Sequence, residues 1–319
     1  TFEIVRDRMI KIIFSDMDGT LLDEHGNVPE GFDETIAELE KRGVMFAPAS
    51  GRQYYSLEDS FMKYKDRFLF LAENGTVVMY KGEKIFTCPM NKQLAQQVLK
   101  AAEPLENVYS VFCGTKNGYV LKHQYTEEFL AELHKYYTHS APIPSFIDVP
   151  DEPVKVSFFD PTGHAEETIY PTMRQFEHCL QVVLASDYWV DIMNPGINKG
   201  VAVQEVQKRF GIRPEECAAF GDYMNDAEMM QSVYYSFAMA NAYPEIKKLA
   251  RFQTESNVDH GVLRIVDPLE GAAHRIVPCR ACDVAARRQE VVDEVEAILE
   301  FGRNLLHFGF EHGVVLGGR

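Results

Sequence analysis

Positive charge is scarce in this sequence: 32 lysines and arginines stand against 48 aspartates and glutamates, a formal net charge of −16. Phosphate backbones and anionic lipid surfaces are repelled at long range by such a balance, which argues against nucleic acid or a membrane as partner. Long apolar runs are missing as well. No window approaches the roughly 20 apolar residues of a membrane-spanning helix, and the opening TFEIVRDRM lacks the apolar core of a signal peptide. The expectation is a soluble, cytoplasmic protein with no obligate protein partner. The six cysteines (88, 113, 179, 217, 279, 282) form no disulfide framework. Only Cys279 and Cys282 make a C-x-x-C, and without the second half of a zinc site or a strand–helix redox context they read as two free thiols. None of the ten histidines falls at H-x-x-x-H or H-E-x-x-H spacing. His134 and His139, five apart, read as solvated. There are no internal repeats and no low-complexity tracts.

What is present is enough apolar residue, 46% of 319, to bury one large core or two smaller ones. Ile10 to Phe14 is a β-branched run suited to a buried parallel strand. Phe32, Ile36 and Leu39 recur at helical spacing, with Gly43 placed as a C-terminal cap. Val44 to Ala47 ends at Pro48-Ala49-Ser50-Gly51, and Phe68 to Ala72 ends at Glu73-Asn74-Gly75. Strand–helix–strand alternation predicts a doubly wound sheet whose ligands sit at the carboxyl ends of the strands, so Asp16 and Ser50 are expected to face one crevice. From residue 83 to 191 the grammar changes to stricter alternation with crowded turns: Val108 to Cys113, Asn117-Gly118, Tyr119 to Lys122, Lys155 to Phe159, and Gln181 to Met193 broken at Ser186-Asp187. Helices are expected over Leu94 to Ala102 and Glu127 to Tyr137, and a proline-rich loop over Ala141 to Pro153. This reads as an inserted α+β domain. The first grammar then returns, with a helix through Val203, Val206 and Phe210, strands at Cys217 to Phe220 and Phe237 to Ala240, and helices at Ala227 to Val233 and from Pro244. The expected organisation is therefore leader residues 1–8, a split core of 9–82 and 192–266, a cap of 83–191, and a tail of 267–319. In the tail, 285–306 has the spacing of an amphipathic helix, which fits a partner-binding helix, a packed appendage or non-native read-through.

Four separated pieces carry chemistry: Asp16-Met17-Asp18-Gly19-Thr20, Ser50-Gly51-Arg52, Lys199 in Asn198-Lys199-Gly200, and Gly221-Asp222-Tyr223-Met224-Asn225-Asp226. Each follows a strand or opens a helix. Singly, a D-x-D is a solvated turn and a lysine at a helix start faces water. Together they place hard oxygen donors, Asp16, Asp18 and Asp222, where Mg²⁺ would relieve their mutual repulsion, with one positive charge opposite.

In that order, with a large insertion between the serine and lysine pieces, the motifs resemble the haloacid dehalogenase superfamily of phosphatases, in its Cof-type branch with a type II (C2B) cap. The resemblance spans about residues 9 to 266, including Ala72-Glu73-Asn74-Gly75 and "TESNVDHGV" (254–262). It implies an α/β fold, a Rossmann-like doubly wound parallel sheet with an inserted α+β cap, and a Mg²⁺-dependent phosphatase of small phosphorylated metabolites. Sugar phosphates are the foremost substrates implied, followed by nucleotide or cofactor phosphates such as flavin mononucleotide. It further implies that Asp16 is the nucleophile, forming an aspartyl-phosphate, and that Asp18 is the acid and then the base. Metal would be held by Asp16, Asp222 and the main-chain carbonyl of Asp18, with Asp226 supporting the loop. Phosphate would be bound by Met17 and Gly51 N–H groups, Ser50, Lys199 and Asn225, and Arg52 would reach a second anionic group or form a surface ion pair. A phosphomutase, a phosphorylatable receiver-like module and a catalytically idle metabolite sensor are the alternatives. The inserted domain and Asp18, one residue removed from Asp16 and free to serve a leaving group, weigh against the last two.

Overall fold

The computed structural model describes residues 10–266 and the short strand Val277–Pro278; Cys279, Cys282 and the segment 285–306 lie outside the described residues. The chain runs through β1 (Ile12–Asp16), α1 (Phe32–Lys41), β2 (Met45–Ala49), α2 (Tyr54–Ser60), β3 (Leu69–Ala72), β4 (Val77–Tyr80), β5 (Glu83–Thr87) and α3 (Lys92–Ala101). It continues through β6 (Tyr109–Gly114), β7 (Gly118–Leu121), α4 (Glu127–Leu133), β8 (Ser140–Ile143), β9 (Pro153–Phe159), α5 (Ala165–Thr168), α6 (Tyr170–Met173), β10 (Gln181–Leu184) and β11 (Trp189–Met193). Last come α7 (Lys199–Phe210), β12 (Cys217–Gly221), α8 (Ala227–Gln231), β13 (Tyr235–Ala238), α9 (Pro244–Leu249), β14 (Phe252–Gln253), α10 (Gly261–Val266) and β15 (Val277–Pro278). Two compact units result among the described residues, one from 10–49 with the residues after 202 and one from residues 50–202.

In the first unit, β14, β13, β12, β1 and β2 lie side by side, all parallel, and β15 pairs antiparallel with β14. The strands read as continuous apolar runs because both faces are covered, and every residue of β1 and β12 is buried. Helix α1 buries Phe32, Ile36 and Leu39, and Gly43 beyond it has a φ of +71°, as its placement after the helix requires. The second strand does not stop before Pro48, as the sequence suggests, but runs through it to Ala49, with Pro48 opposite Ser15. Proline still offers its carbonyl, so a parallel ladder that uses alternate groups on each edge survives it.

In the second unit, β3, β4 and β5 form an antiparallel meander, and a separate six-stranded sheet has the order β10-β11-β9-β6-β7-β8. Period-2 alternation divides that sheet. Phe112, Val156, Phe158, Val190 and Ile192 join Val98 of α3 and Met173 of α6 in one apolar cluster. Their strand neighbours Cys113, Lys155, Ser157 and Asp191 point to the opposite face and are buried too. The proline-rich stretch from Ala141 is not wholly loop: β8 pairs parallel with β7 as an edge strand, a place where Pro142 is tolerated. The chain segments just before α3 and just after β11 are tied together, since the Asn194 amide donates to the Pro89 carbonyl at 2.9 Å.

Candidate active site

The first unit gathers carboxylates at the carboxyl ends of β1 and β12. Asp16 is the last residue of β1 and is buried. Immediately after it the chain folds back around the Met17 carbonyl, which accepts from the N–H groups of Leu21 at 3.1 Å and Leu22 at 2.9 Å. Gly19 is at the crest with a φ of +81°, and a Cβ there would lie 2.4 Å from Asp222 Oδ2. Only glycine meets both demands. Thr20 closes the turn from the other side, its hydroxyl donating to Asp222 Oδ1 at 2.7 Å.

Asp222 follows β12 and is half-buried, while Asp226, four residues on, is buried. Asp226 Oδ2 accepts the N–H groups of Asp222 at 3.0 Å and Tyr223 at 3.1 Å, which folds the loop onto itself. Asp16, Asp222 and Asp226 each offer an oxygen within 4.8 Å of the others. Three carboxylates that close are unfavourable unless a cation or protons neutralise them, and an all-oxygen set of this kind fits a hard divalent ion such as Mg²⁺. Asp18 and Asn225 are exposed in the same two loops, and Met17 is buried.

Two residues outside the four chemistry-bearing pieces hold this arrangement. Asn241 Nδ2 donates to the Gly19 carbonyl at 2.7 Å, and Asn257 Nδ2 donates to the Leu22 carbonyl at 2.8 Å. The backbone N–H of Asn257 is itself held by Asn241 Oδ1 at 3.2 Å. Both ends of the turn after β1 are thus pinned from segments more than 200 residues downstream. Asn257 belongs to the "TESNVDHGV" stretch, so the resemblance pointed at the segment without giving it a task.

The second unit carries the other sequence-predicted residues. Ser50 donates its N–H to the Leu71 carbonyl at 2.9 Å and accepts, through its carbonyl, from Asn74 N–H at 3.0 Å. Its hydroxyl oxygen accepts from Arg52 N–H at 3.2 Å. Gly51 lies against the Asn74 amide, which a Cβ would approach to 3.2 Å. Lys199 is fully buried at the start of α7, where Asn198 Oδ1 caps the helix by accepting from Val201 N–H at 3.0 Å. Arg52 is half-buried.

Behind these residues is a polar network that sequence reasoning did not anticipate. Lys155 Nζ lies 3.1 Å from Glu73 Oε2 and 3.0 Å from Asp191 Oδ2, with all three side chains nearly without solvent contact. Tyr137 donates its hydroxyl to Glu73 Oε2 at 2.7 Å, and Ser157 donates to Asp191 Oδ1 at 2.6 Å. Burial pushes the Glu73 carboxyl above its ordinary range, with Lys155 pulling the other way. Burial would likewise lower the Lys155 ammonium, but Asp191 and Glu73 outweigh it and hold the group above its ordinary value. Burial also pushes the Cys113 thiol up to about 12, so this cysteine is a packed, unreactive group. A lysine inside an otherwise apolar strand, PVKVSFF, was the available clue.

A family profile described as haloacid dehalogenase-like hydrolase matches residues 13–266. The chain is 29% identical over 263 residues to 5-amino-6-(5-phospho-D-ribitylamino)uracil phosphatase YbjI of Escherichia coli K12, covering 81% of this chain and 95% of that protein. It is 26% identical over 248 residues to the HMP-PP phosphatase of Serratia proteamaculans, covering 76% of this chain and 88% of the relative. Among solved structures, SMU.1108c from Streptococcus mutans UA159 superposes with a TM-score of 0.72 at 27% identity, over 82% of this chain and 98% of the other. The fold is accordingly α/β, a Rossmann-like core with an inserted cap.

Proposed function

Since this chain belongs to the haloacid dehalogenase-like hydrolases and is a phosphoric monoester hydrolase, we propose that it removes phosphate from small phosphorylated metabolites by way of an aspartyl-phosphate on Asp16, with Mg²⁺ as cofactor. The observation that carries the reading is the mutual approach of Asp16, Asp222 and Asp226 to within 4.8 Å at the ends of two adjacent parallel strands. Asp16, Asp222 and the main-chain carbonyl of Asp18 would hold the ion, with Asp226 keeping the loop folded. A bound Mg²⁺ supplies neutralisation of charge on the phosphoryl oxygens.

The chain's own groups account for the remaining steps. A phosphate monoester demands on the order of 20 kcal/mol of transition-state stabilisation, more than any one device provides. A carboxylate is already ionised at neutral pH, so an Asp16 oxygen attacks phosphorus without a base while the bond to the leaving oxygen breaks. Asp18 gives its proton to that oxygen, and the alcohol departs. The Asp18 carboxylate then takes a proton from water as the water oxygen attacks phosphorus, which breaks the bond to Asp16 and frees inorganic phosphate. Lys199, the Ser50 hydroxyl and the N–H groups of Met17 and Gly51 bind phosphoryl oxygens, Asn225 orients the phosphate or Lys199, and Arg52 serves a second anionic group.

Residues 9–82 with 192–266 form the catalytic core in this reading, and 83–191 form the cap that chooses the leaving group. Sugar phosphates are the proposed substrate class. The YbjI relative is named for a substrate carrying a 5-phosphoribityl chain, which fits a pocket for phosphorylated polyols. A panel of sugar, nucleotide and flavin phosphates assayed for inorganic phosphate release tests this. Release is expected with Mg²⁺, loss in EDTA, and recovery on adding Mg²⁺ back; full activity in chelator contradicts the metal assignment. Return of the phosphoryl group to a second position of the substrate, with no phosphate released, favours a mutase instead.

A further inference from the structure

The segment Glu73-Asn74-Gly75 touches both phosphate-binding stretches of the second unit. Asn74 N–H holds the Ser50 carbonyl at 3.0 Å, and the Asn74 amide lines the place beside Gly51. On the other side Gly75, with a φ of +94°, approaches Asn198 and Lys199 so closely that a Cβ would fall 2.3 Å from the Asn198 carbonyl oxygen and 3.1 Å from Lys199 Cα. A small displacement of this turn therefore moves Ser50 and Lys199 together.

The turn does not hold its shape by itself. Glu73 and Asn74 are consecutive left-handed residues, with φ of 52° and 53°, and a glutamate adopts that region only where its surroundings impose it. Its main chain is held by Glu73 N–H donating to the Arg52 carbonyl at 3.0 Å and by the Thr76 hydroxyl donating to the Glu73 carbonyl at 2.9 Å, and its side chain by the Tyr137 hydroxyl and by Lys155, which is anchored in turn on Asp191 of the neighbouring strand. Buried ion pairs contribute little net stability relative to apolar packing of the same volume, so stability alone is a weak reason for placing one here. We propose that Lys155, acting through Glu73, is a positioning residue that sets the places of Ser50 and Lys199 and so couples the cap sheet to phosphate binding. The proposal rests on the reading of Ser50 and Lys199 as phosphate-binding residues.

The test is competitive inhibition by inorganic phosphate, measured with kcat and KM for p-nitrophenyl phosphate, in the full chain and in Lys155→Met, Lys155→Arg, Ser50→Ala and the Lys155→Met/Ser50→Ala double variant. Misplacement by a fraction of an ångström to an ångström predicts that Lys155→Met raises the inhibition constant and KM roughly ten- to a hundred-fold. The concentration of Mg²⁺ giving half activity stays at the parent value, because the carboxylates belong to other elements. Lys155→Arg regains part of the loss. The double variant loses less than the product of the two single effects, since both act on one contact. Should Lys155→Met fail to fold, Glu73→Gln keeps the side-chain volume and the acceptor for Tyr137, and a several-fold rise in the same constant is expected. An unchanged inhibition constant in the folded variant, or strictly multiplicative effects, overturns the proposal. An unchanged constant in Ser50→Ala strikes the phosphate-binding reading itself, and the proposal falls with it.

Discussion

Gly19 shows how little freedom the turn after β1 has. Its φ of +81° and the 2.4 Å that a Cβ would leave to Asp222 Oδ2 make Gly19→Ala a test of whether the two acidic loops work as one. The left-handed backbone alone costs about 1–2 kcal/mol, and relieving the clash pushes the Asp222 carboxylate off its Thr20 hydrogen bond. Titration of activity with Mg²⁺ should show a half-activating concentration at least about tenfold higher, with a lowered melting temperature; a parent-like Mg²⁺ curve contradicts the geometry. Asp226 makes a second case. Asp226→Ala leaves the N–H groups of Asp222 and Tyr223 without their acceptor, at about 1–3 kcal/mol for each group that stays buried. Asp226→Asn keeps one oxygen for them and should retain most of the stability while weakening metal activation, two effects that melting curves and Mg²⁺ titration separate. At this scale the acidic residues were legible in the sequence because motif and strand end coincide. Asn241, Asn257, Tyr137 and Lys155 were not, because each acts on a partner brought near only by the fold: Asn257 on Leu22, Lys155 on Glu73. Of these Lys155 left a trace as a charge in a buried strand, and Asn257 as a member of the 254–262 stretch.

Between elements, the ends of β1 and β12 away from the carboxylates are fastened by Glu216. Its carboxylate accepts from Arg213 N–H at 2.8 Å and pairs with Lys11 at 2.9 Å, and Lys11 N–H returns a bond to the Glu216 carbonyl at 2.8 Å. Burial would raise this carboxyl, but the Arg213 backbone and the Lys11 and Arg213 side chains prevail and hold it at about 2, below its ordinary value of 4.5. A carboxyl depressed in the folded state stabilises the fold fully above its unfolded value, and that stability is lost as pH falls from there toward the folded one. Urea midpoints from about pH 6 down to about pH 3 should therefore drop in the parent and drop less steeply in Glu216→Gln. A parallel fall in both proteins contradicts the assignment. Strands and long helices were readable because a continuous apolar run or a 3.6-residue spacing survives any context, as in β12 and α1. Among the elements that escaped, α2, β4 and β5 are short, β8 contains a proline, α5 and α6 are four residues each, and the left-handed Glu73 and Asn74 are set by tertiary contacts rather than by local preference.

As a whole, the molecule pairs a parallel α/β unit bearing the carboxylate cluster with a second unit bearing the serine, the lysine and a six-stranded sheet. Among the described residues no helix is long and apolar enough to cross a membrane. The net charge of −16 makes anionic surfaces poor partners yet does not bar a small phosphate ester, since salt screens distant charges and the groups nearest a ligand govern the field it meets. The α/β class followed from strand–helix alternation, and the family from four motifs taken in order. The buried Lys155–Glu73–Asp191 network of the second unit did not, since no local pattern encodes a contact between residues 36 apart in the chain. The most direct test of the central claim, that Asp16 is the group to which the phosphoryl is transferred, is the rate of inorganic phosphate release by Asp16→Asn on the best substrate at saturating Mg²⁺. The account predicts a fall of at least about a thousandfold in a folded protein; release at the parent rate would contradict it.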